Sequence, residues 1–242
     1  MNDLTPILYT IRAGDTLYNL AIQYNTTVQE LLNTNLALDP YNLRIGQQIY
    51  IYPNYNNITN NYWLSINQLN LQRTMDLVWE QHIMWTRMLL ISIAENLSDL
   101  EDTKNRLLEN PKDIADVFKT YYGNNIANTI QKLLTEHLVI GANLITALKN
   151  GNQKLADELN SNWYKNADNM AVAFSNINPF YPRESVRKML YEHLKLTTDE
   201  VSARLNKNYI ADIKAFDMVQ KEILKMSKFF VDGIVRQFST MF

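Results

Sequence analysis

The chain has 242 residues, 20% of them charged, with a formal net charge of −2. Neither end departs from that balance, which excludes a nucleic-acid backbone or an anionic membrane surface as a partner. With no cysteine there is no disulfide framework, thiol nucleophile or thiolate metal site. At the amino end, Met1-Asn2-Asp3-Leu4-Thr5-Pro6 shows no basic or apolar stretch, so no export signal is expected. The most apolar run, Met84 to Ala94, contains Thr86 and Arg87 and reads as a buried helix, not as a membrane insertion.

From Leu8 onward, Tyr9 and Ile11 alternate with polar neighbours, the pattern of a half-buried strand. Gly14-Asp15 reads as a turn, and Asp15 or Thr16 as the cap of a helix carrying Leu17, Leu20, Ala21 and Tyr24. Asn25-Thr26-Thr27 ends that helix. Thr27 with Glu30 forms a capping box for a second one, which carries Leu31 and Leu32. A loop with Asp39-Pro40 leads to Gly46 and an alternating strand from Gln48 to Tyr52. The expected order over residues 8–53 is strand, helix, helix, strand.

Two stretches of this segment carry a family resemblance. Tyr9-Thr10-Ile11-Arg12-Ala13-Gly14-Asp15-Thr16-Leu17 and Leu43-Arg44-Ile45-Gly46-Gln47-Gln48-Ile49-Tyr50-Ile51-Tyr52-Pro53 resemble the opening and the close of a LysM module. The resemblance implies binding to the N-acetylglucosamine backbone of peptidoglycan or a chitin-like glycan, in a shallow groove between two loops. On this sequence the first loop is Gly14, Asp15, Thr16 and Leu17. The second runs from Asn35 to Leu43, with Asn35, Leu38, Asp39, Pro40 and Tyr41 as contact residues. Short loops with free backbone N–H and C=O groups suit acetamido groups, and Leu17, Leu38 and Tyr41 are expected to cover a sugar face. Leu36-Ala37-Leu38-Asp39-Pro40-Tyr41 departs from the family, whose proline follows the asparagine sooner.

Asn-rich sequence follows and reads as a polar linker, residues 54–72, whose Trp63, Leu64 and Ile66 can dock on a neighbour. Beyond it the period becomes helical. Helices are expected at about Thr74–Leu97, Ser98–Glu109, Pro111–Tyr122, Asn124–Lys149, Asn152–Asn176, Pro182–Asn206 and Tyr209–Phe238. The last carries a stripe of Phe216, Val219, Ile223, Met226, Phe230 and Ile234. Long helices with short connections argue for an antiparallel bundle over residues 73–242. Thr135-Glu136-His137-Leu138 parallels Tyr191-Glu192-His193-Leu194, and Ala156-Asp157 parallels Ala211-Asp212, as in a duplicated hairpin.

His82, His137 and His193 each lie on an apolar stripe of a different helix. The first reading is a buried imidazole with an ordinary hydrogen-bond partner. Counting from the hairpin turns places Tyr164 and Asp168 near His137, and Gln220 to Ile223 near His193. The alternative is a metal site at the centre of the bundle, although the Glu-x-x-His pairing of di-iron carboxylate bundles is absent. No catalytic set emerges. Asp212 and Asp217 face different directions, Trp79, Trp85 and Trp163 read as core, and the glycines never cluster into a phosphate loop.

Trp79-Glu80-Gln81-His82, Trp85-Thr86-Arg87, Glu136-His137-Leu138 and Trp163-Tyr164-Lys165-Asn166-Ala167-Asp168 resemble uncharacterised helical proteins of spore-forming Gram-positive bacteria. That resemblance implies no activity. The sequence therefore predicts a mainly α protein, a βααβ module followed by an all-α bundle, with no cofactor. Its expected function is non-catalytic glycan binding at a spore or cell envelope. The alternative is a metal-binding or enzymatic bundle brought to the wall. A third role would have the helices bind coat proteins or one another.

Overall fold

Strand β1 (Ile7–Thr10) pairs antiparallel with β2 (Gln48–Ile51), Tyr9 opposite Ile49 and Leu8 opposite Tyr50. The alternation read from sequence holds: Tyr9, Ile11, Ile49 and Ile51 point inward, while Leu8 and Tyr50 lie on the solvated face. The chain between them forms α1 (Leu17–Gln23) and α2 (Val28–Thr34). The Thr16 hydroxyl accepts from the Asn19 N–H at 3.1 Å, and that of Thr27 from the Glu30 N–H at 3.0 Å. Each satisfies an N–H that the first helical turn leaves unpaired. Leu17, Leu20, Ala21, Leu31 and Leu38 fill the space between the helices and the sheet.

The computed structural model describes residues 6–35, 38–39, 43–53 and 65–242, and the chain divides into two units between residues 64 and 65. Most of the expected linker, residues 54–64, and the amino-terminal hexapeptide apart from Pro6 lie outside the described residues.

The second unit is helical: α3 (Ile66–Glu95), α4 (Leu100–Leu107), α5 (Asn110–Lys149), α6 (Gln153–Ile177), α7 (Arg183–Leu205) and α8 (Tyr209–Gln237). Neighbours in sequence pack as neighbours in space, and α8 closes the bundle against α3. Helix α3 begins at Ile66, well before the expected Thr74. The Ser65 hydroxyl accepts from the Gln68 N–H at 3.0 Å and starts the helix inside the Asn-rich stretch. In α5, Gly123 sits at φ 78°, ψ 176°, a conformation open essentially only to glycine, and breaks the helix where the sequence ends one helix and begins another.

The turns repeat in detail. After α5, Gly151 takes a left-handed conformation and the Asn152 N–H reaches back to the Ala147 carbonyl at 3.0 Å. After α7, Lys207 does the same and the Asn208 N–H bonds the Ala203 carbonyl at 2.9 Å. Asn152 and Asn208 then cap the following helices through Leu155 N–H and Ala211 N–H. The α3 turn shares the first part: Asn96 is left-handed and the Leu97 N–H bonds the Ser92 carbonyl. The caps correct the expected alignment by one residue. Ala156, a core alanine, stands where the second hairpin has Asp212, and Asp157 is exposed.

One aromatic cluster anchors the core. Phe230 stacks on Trp79 and meets Phe118, Phe174 and Tyr181 edge-on or tilted, with centroids 4.6–5.8 Å apart. At the other side of α3, Arg87 enters a buried acidic pair. Its Nη1 donates to Glu200 at 2.5 Å and to Asp212 at 2.8 Å, and its Nη2 donates to Asp212 at 3.2 Å. Arg204 adds a longer contact to Asp212 at 3.4 Å and pairs with Glu95 at 3.1 Å.

Candidate functional site

The first candidate loop is shaped by its own side chains. Gly14 has φ +87°, and a Cβ there would meet nothing within 4 Å, so the turn is open backbone. Asp15 does not cap α1. Its carboxylate accepts from the Arg12 N–H at 2.7 Å and from the Tyr9 hydroxyl at 2.9 Å, which fixes the turn to the sheet. Thr16 is exposed. Leu17 is only 4% exposed and lies in the core, so it cannot cover a sugar face as expected.

The second loop is anchored by Asn35. Its Oδ1 accepts from the Tyr50 N–H at 2.8 Å, and its Nδ2 donates to the carbonyls of Tyr50 and Leu31, both at 2.8 Å. The side chain thus pairs with the outer edge of β2 as another strand would, and ties the end of α2 to the sheet. The amide expected to contact sugar is thus engaged within the fold. Leu38, at 8% exposure, is also core, while Asp39 is exposed. Pro40 and Tyr41 lie outside the described residues. The outward-facing part of the expected set is therefore Gly14, Thr16 and Asp39, with Asp15 half-buried. Tyr18, next to the first motif, and Ile45, within the second, are exposed apolar residues that were not expected as contacts. Periodicity alone gives no sign of that exposure.

The family model of the LysM domain matches residues 9–51. The N-terminal unit carries a LysM domain. No curated protein and no solved structure matches the chain. The LysM domain supports binding of peptidoglycan or other N-acetylglucosamine polymers in general. No helix among the described residues is long and apolar enough to cross a membrane.

Outside the LysM domain, the histidines of α3, α5 and α7 meet. Ring centroids lie 6.1 Å apart for His82 and His137, 5.7 Å for His82 and His193, and 6.2 Å for His137 and His193. One ring nitrogen of each falls within 4.8 Å of the other two. All three rings are buried. Each Nδ1 has its own partner further along the chain: Asn110 Oδ1 at 3.0 Å, Asn166 Oδ1 at 3.3 Å and Glu222 Oε2 at 3.1 Å. Asn166 replaces the expected Tyr164 and Asp168 beside His137. Asp168 instead accepts from the Tyr191 hydroxyl at 3.0 Å. Glu222 falls within the span expected for His193.

Those partners fix the tautomers. Asn110 Nδ2 donates to the Val78 carbonyl at 2.8 Å and Asn166 Nδ2 to the Leu133 carbonyl at 3.1 Å. Each amide therefore presents its oxygen to the ring, an acceptor that requires a proton on Nδ1. Burial, reinforced by His193, lowers the His82 pKa to about 3. Burial, with His82 and His193, also holds His137 well below the ordinary imidazole value. These two rings are neutral at physiological pH, and each keeps its Nε2 lone pair free of a proton.

Proposed function

We propose that the LysM domain tethers this protein non-catalytically to an N-acetylglucosamine-containing wall polymer, and that the helical unit is the scaffold it carries to the spore or cell envelope. The match over residues 9–51 carries the reading. It is supported by the open turn at Gly14, where a Cβ would meet nothing within 4 Å, beside exposed Thr16. In this reading the contact loops are Gly14–Leu17 and residues 35–43, with Leu17 and Leu38 buried in the domain core and Asn35 bonded to β2. The likeness of the helical motifs to proteins of spore-forming bacteria favours a spore envelope, with coat proteins or further copies as partners.

A single LysM copy lacks avidity, so affinity for one glycan strand is expected to be weak. Titrating the isotope-labelled chain with chito-oligosaccharides and with peptidoglycan strands should move amide resonances at Gly14, Asp15, Thr16 and residues 38–43. Shifts confined to other surfaces, or none with either sugar, would contradict this reading.

A further inference from the structure

We propose that His82, His137 and His193 bind one divalent transition-metal ion through their three Nε2 atoms, zinc by preference, with a water beside Thr197 as the fourth ligand. The inference is independent of the LysM domain. Three nitrogens no more than 4.8 Å apart surround a point at most about 2.8 Å from each, against 2.0–2.1 Å for a zinc–imidazole bond. Each ring then needs to move inward by less than about 1 Å to complete the site.

The surroundings favour a ligand over a plain apolar core. Metal-bound histidines characteristically donate their second N–H to a carboxylate or amide oxygen, which sets the tautomer and raises ligand basicity. Here all three do so, to Asn110, Asn166 and Glu222. The His-to-partner separation is nearly constant, at 28, 29 and 29 residues, although the helices otherwise differ. Ring nitrogens of all three converge to within 4.8 Å, and the three residues line one cavity of about 20 Å³ that is otherwise mostly apolar. Polar groups in such surroundings need partners, and one cation satisfies all three rings together. The cavity also holds Thr197, whose hydroxyl is buried without a partner and so can bond a metal-held water. Its volume admits one water and excludes a larger substrate.

The donor set narrows the metal. Three imidazoles without a first-ring carboxylate suit zinc, cobalt, nickel or copper and disfavour magnesium and calcium. Three histidines plus water is a common four-coordinate zinc arrangement.

The test uses the full chain stripped with chelator, then titrated separately with Zn²⁺ and Co²⁺. One equivalent per chain is expected, with the visible absorption of four-coordinate cobalt and a melting temperature raised by zinc. His137→Gln and His193→Gln should lose the cobalt bands while keeping helical circular dichroism. Thr197→Val retains every imidazole, so it should still bind one equivalent with an altered cobalt spectrum even if the histidine variants fail to fold. A wild-type chain that takes up less than about a tenth of an equivalent of Zn²⁺ or Co²⁺ overturns the proposal, leaving a water among the rings. Equal uptake by folded His137→Gln also overturns it, and an unchanged Thr197→Val spectrum overturns the place given to Thr197.

Discussion

Arg87→Met should destabilise the helical unit by about 3–5 kcal/mol, the usual cost of removing one partner from a buried ion pair. Glu200 and Asp212 are 3% and 1% exposed, and Arg87 is the group that approaches both at hydrogen-bond distance. Arg204 reaches only Asp212, at 3.4 Å, and cannot replace it. At roughly 2–4 °C per kcal/mol for a unit of this size, the melting temperature should fall by about 10 °C. The loss should depend on pH. Burial raises the Glu200 pKa from 4.5 to about 7, with Arg87 opposing and Asp212 adding to the rise. A carboxyl whose folded pKa is raised contributes stability below its unfolded value and loses it as pH rises through the folded one. Arg87→Met should therefore be less damaging near pH 5 than near pH 7.5. Glu200→Gln should remove the part of the wild-type decline between about pH 4.5 and 7 that belongs to this carboxyl. Denaturant melts at both pH values check this. An Arg87→Met deficit equal at the two would contradict the assignment.

Gly233→Ala should be nearly as damaging, with no charge involved. A Cβ built at Gly233 would stand 2.0 Å from Tyr181 Cε1, and 2.8 Å from both Cδ1 and Cζ. The ring cannot move aside. Its hydroxyl donates to the Phe230 carbonyl at 2.5 Å, and Phe174, Phe229 and Phe230 enclose it. Overpacking of this kind typically costs about 1–3 kcal/mol and sometimes more, and the rigid surroundings put this case at the upper end. Removing the ring should relieve it, so Gly233→Ala with Tyr181→Leu should be more stable than the two single losses added together. Simple additivity in thermal melts would place the clash elsewhere.

Much of this fold is legible in the chain because its signals are local. Period-two alternation at Tyr9 and Ile11, the threonine caps, Pro111, Gly123 and the Asn150-Gly151 turn each act within a few residues of themselves. The stripe of α8 is equally plain, and Val219, Ile223, Met226, Phe230 and Ile234 are all buried. The start of α3 is missed because asparagines dominate the composition there. The capping signature Ser65-x-x-Gln68 lay within them and was the usable sign. The LysM groove is read only in part. In so small a domain Leu17 and Leu38 serve as core while sitting in loop positions, and sequence position cannot separate those roles. The histidine cluster is legible only as an alternative. A stripe shows that a residue faces inward, but the level at which three helices meet depends on turn geometry and crossing. The recurring separation from each histidine to Asn110, Asn166 or Glu222 was the one sign available in advance.

The most direct test of the account is co-sedimentation of the full chain and of residues 65–242 with purified peptidoglycan and with intact spores. Few contacts are expected to cross the Asn-rich segment, so the shortened chain should remain soluble, strongly helical and cooperative in melting. The account predicts that the full chain pellets with the polymer and the shortened chain stays in solution. Equal pelleting of the shortened chain would show that the helical unit itself holds the wall, and would contradict the LysM domain as the anchor.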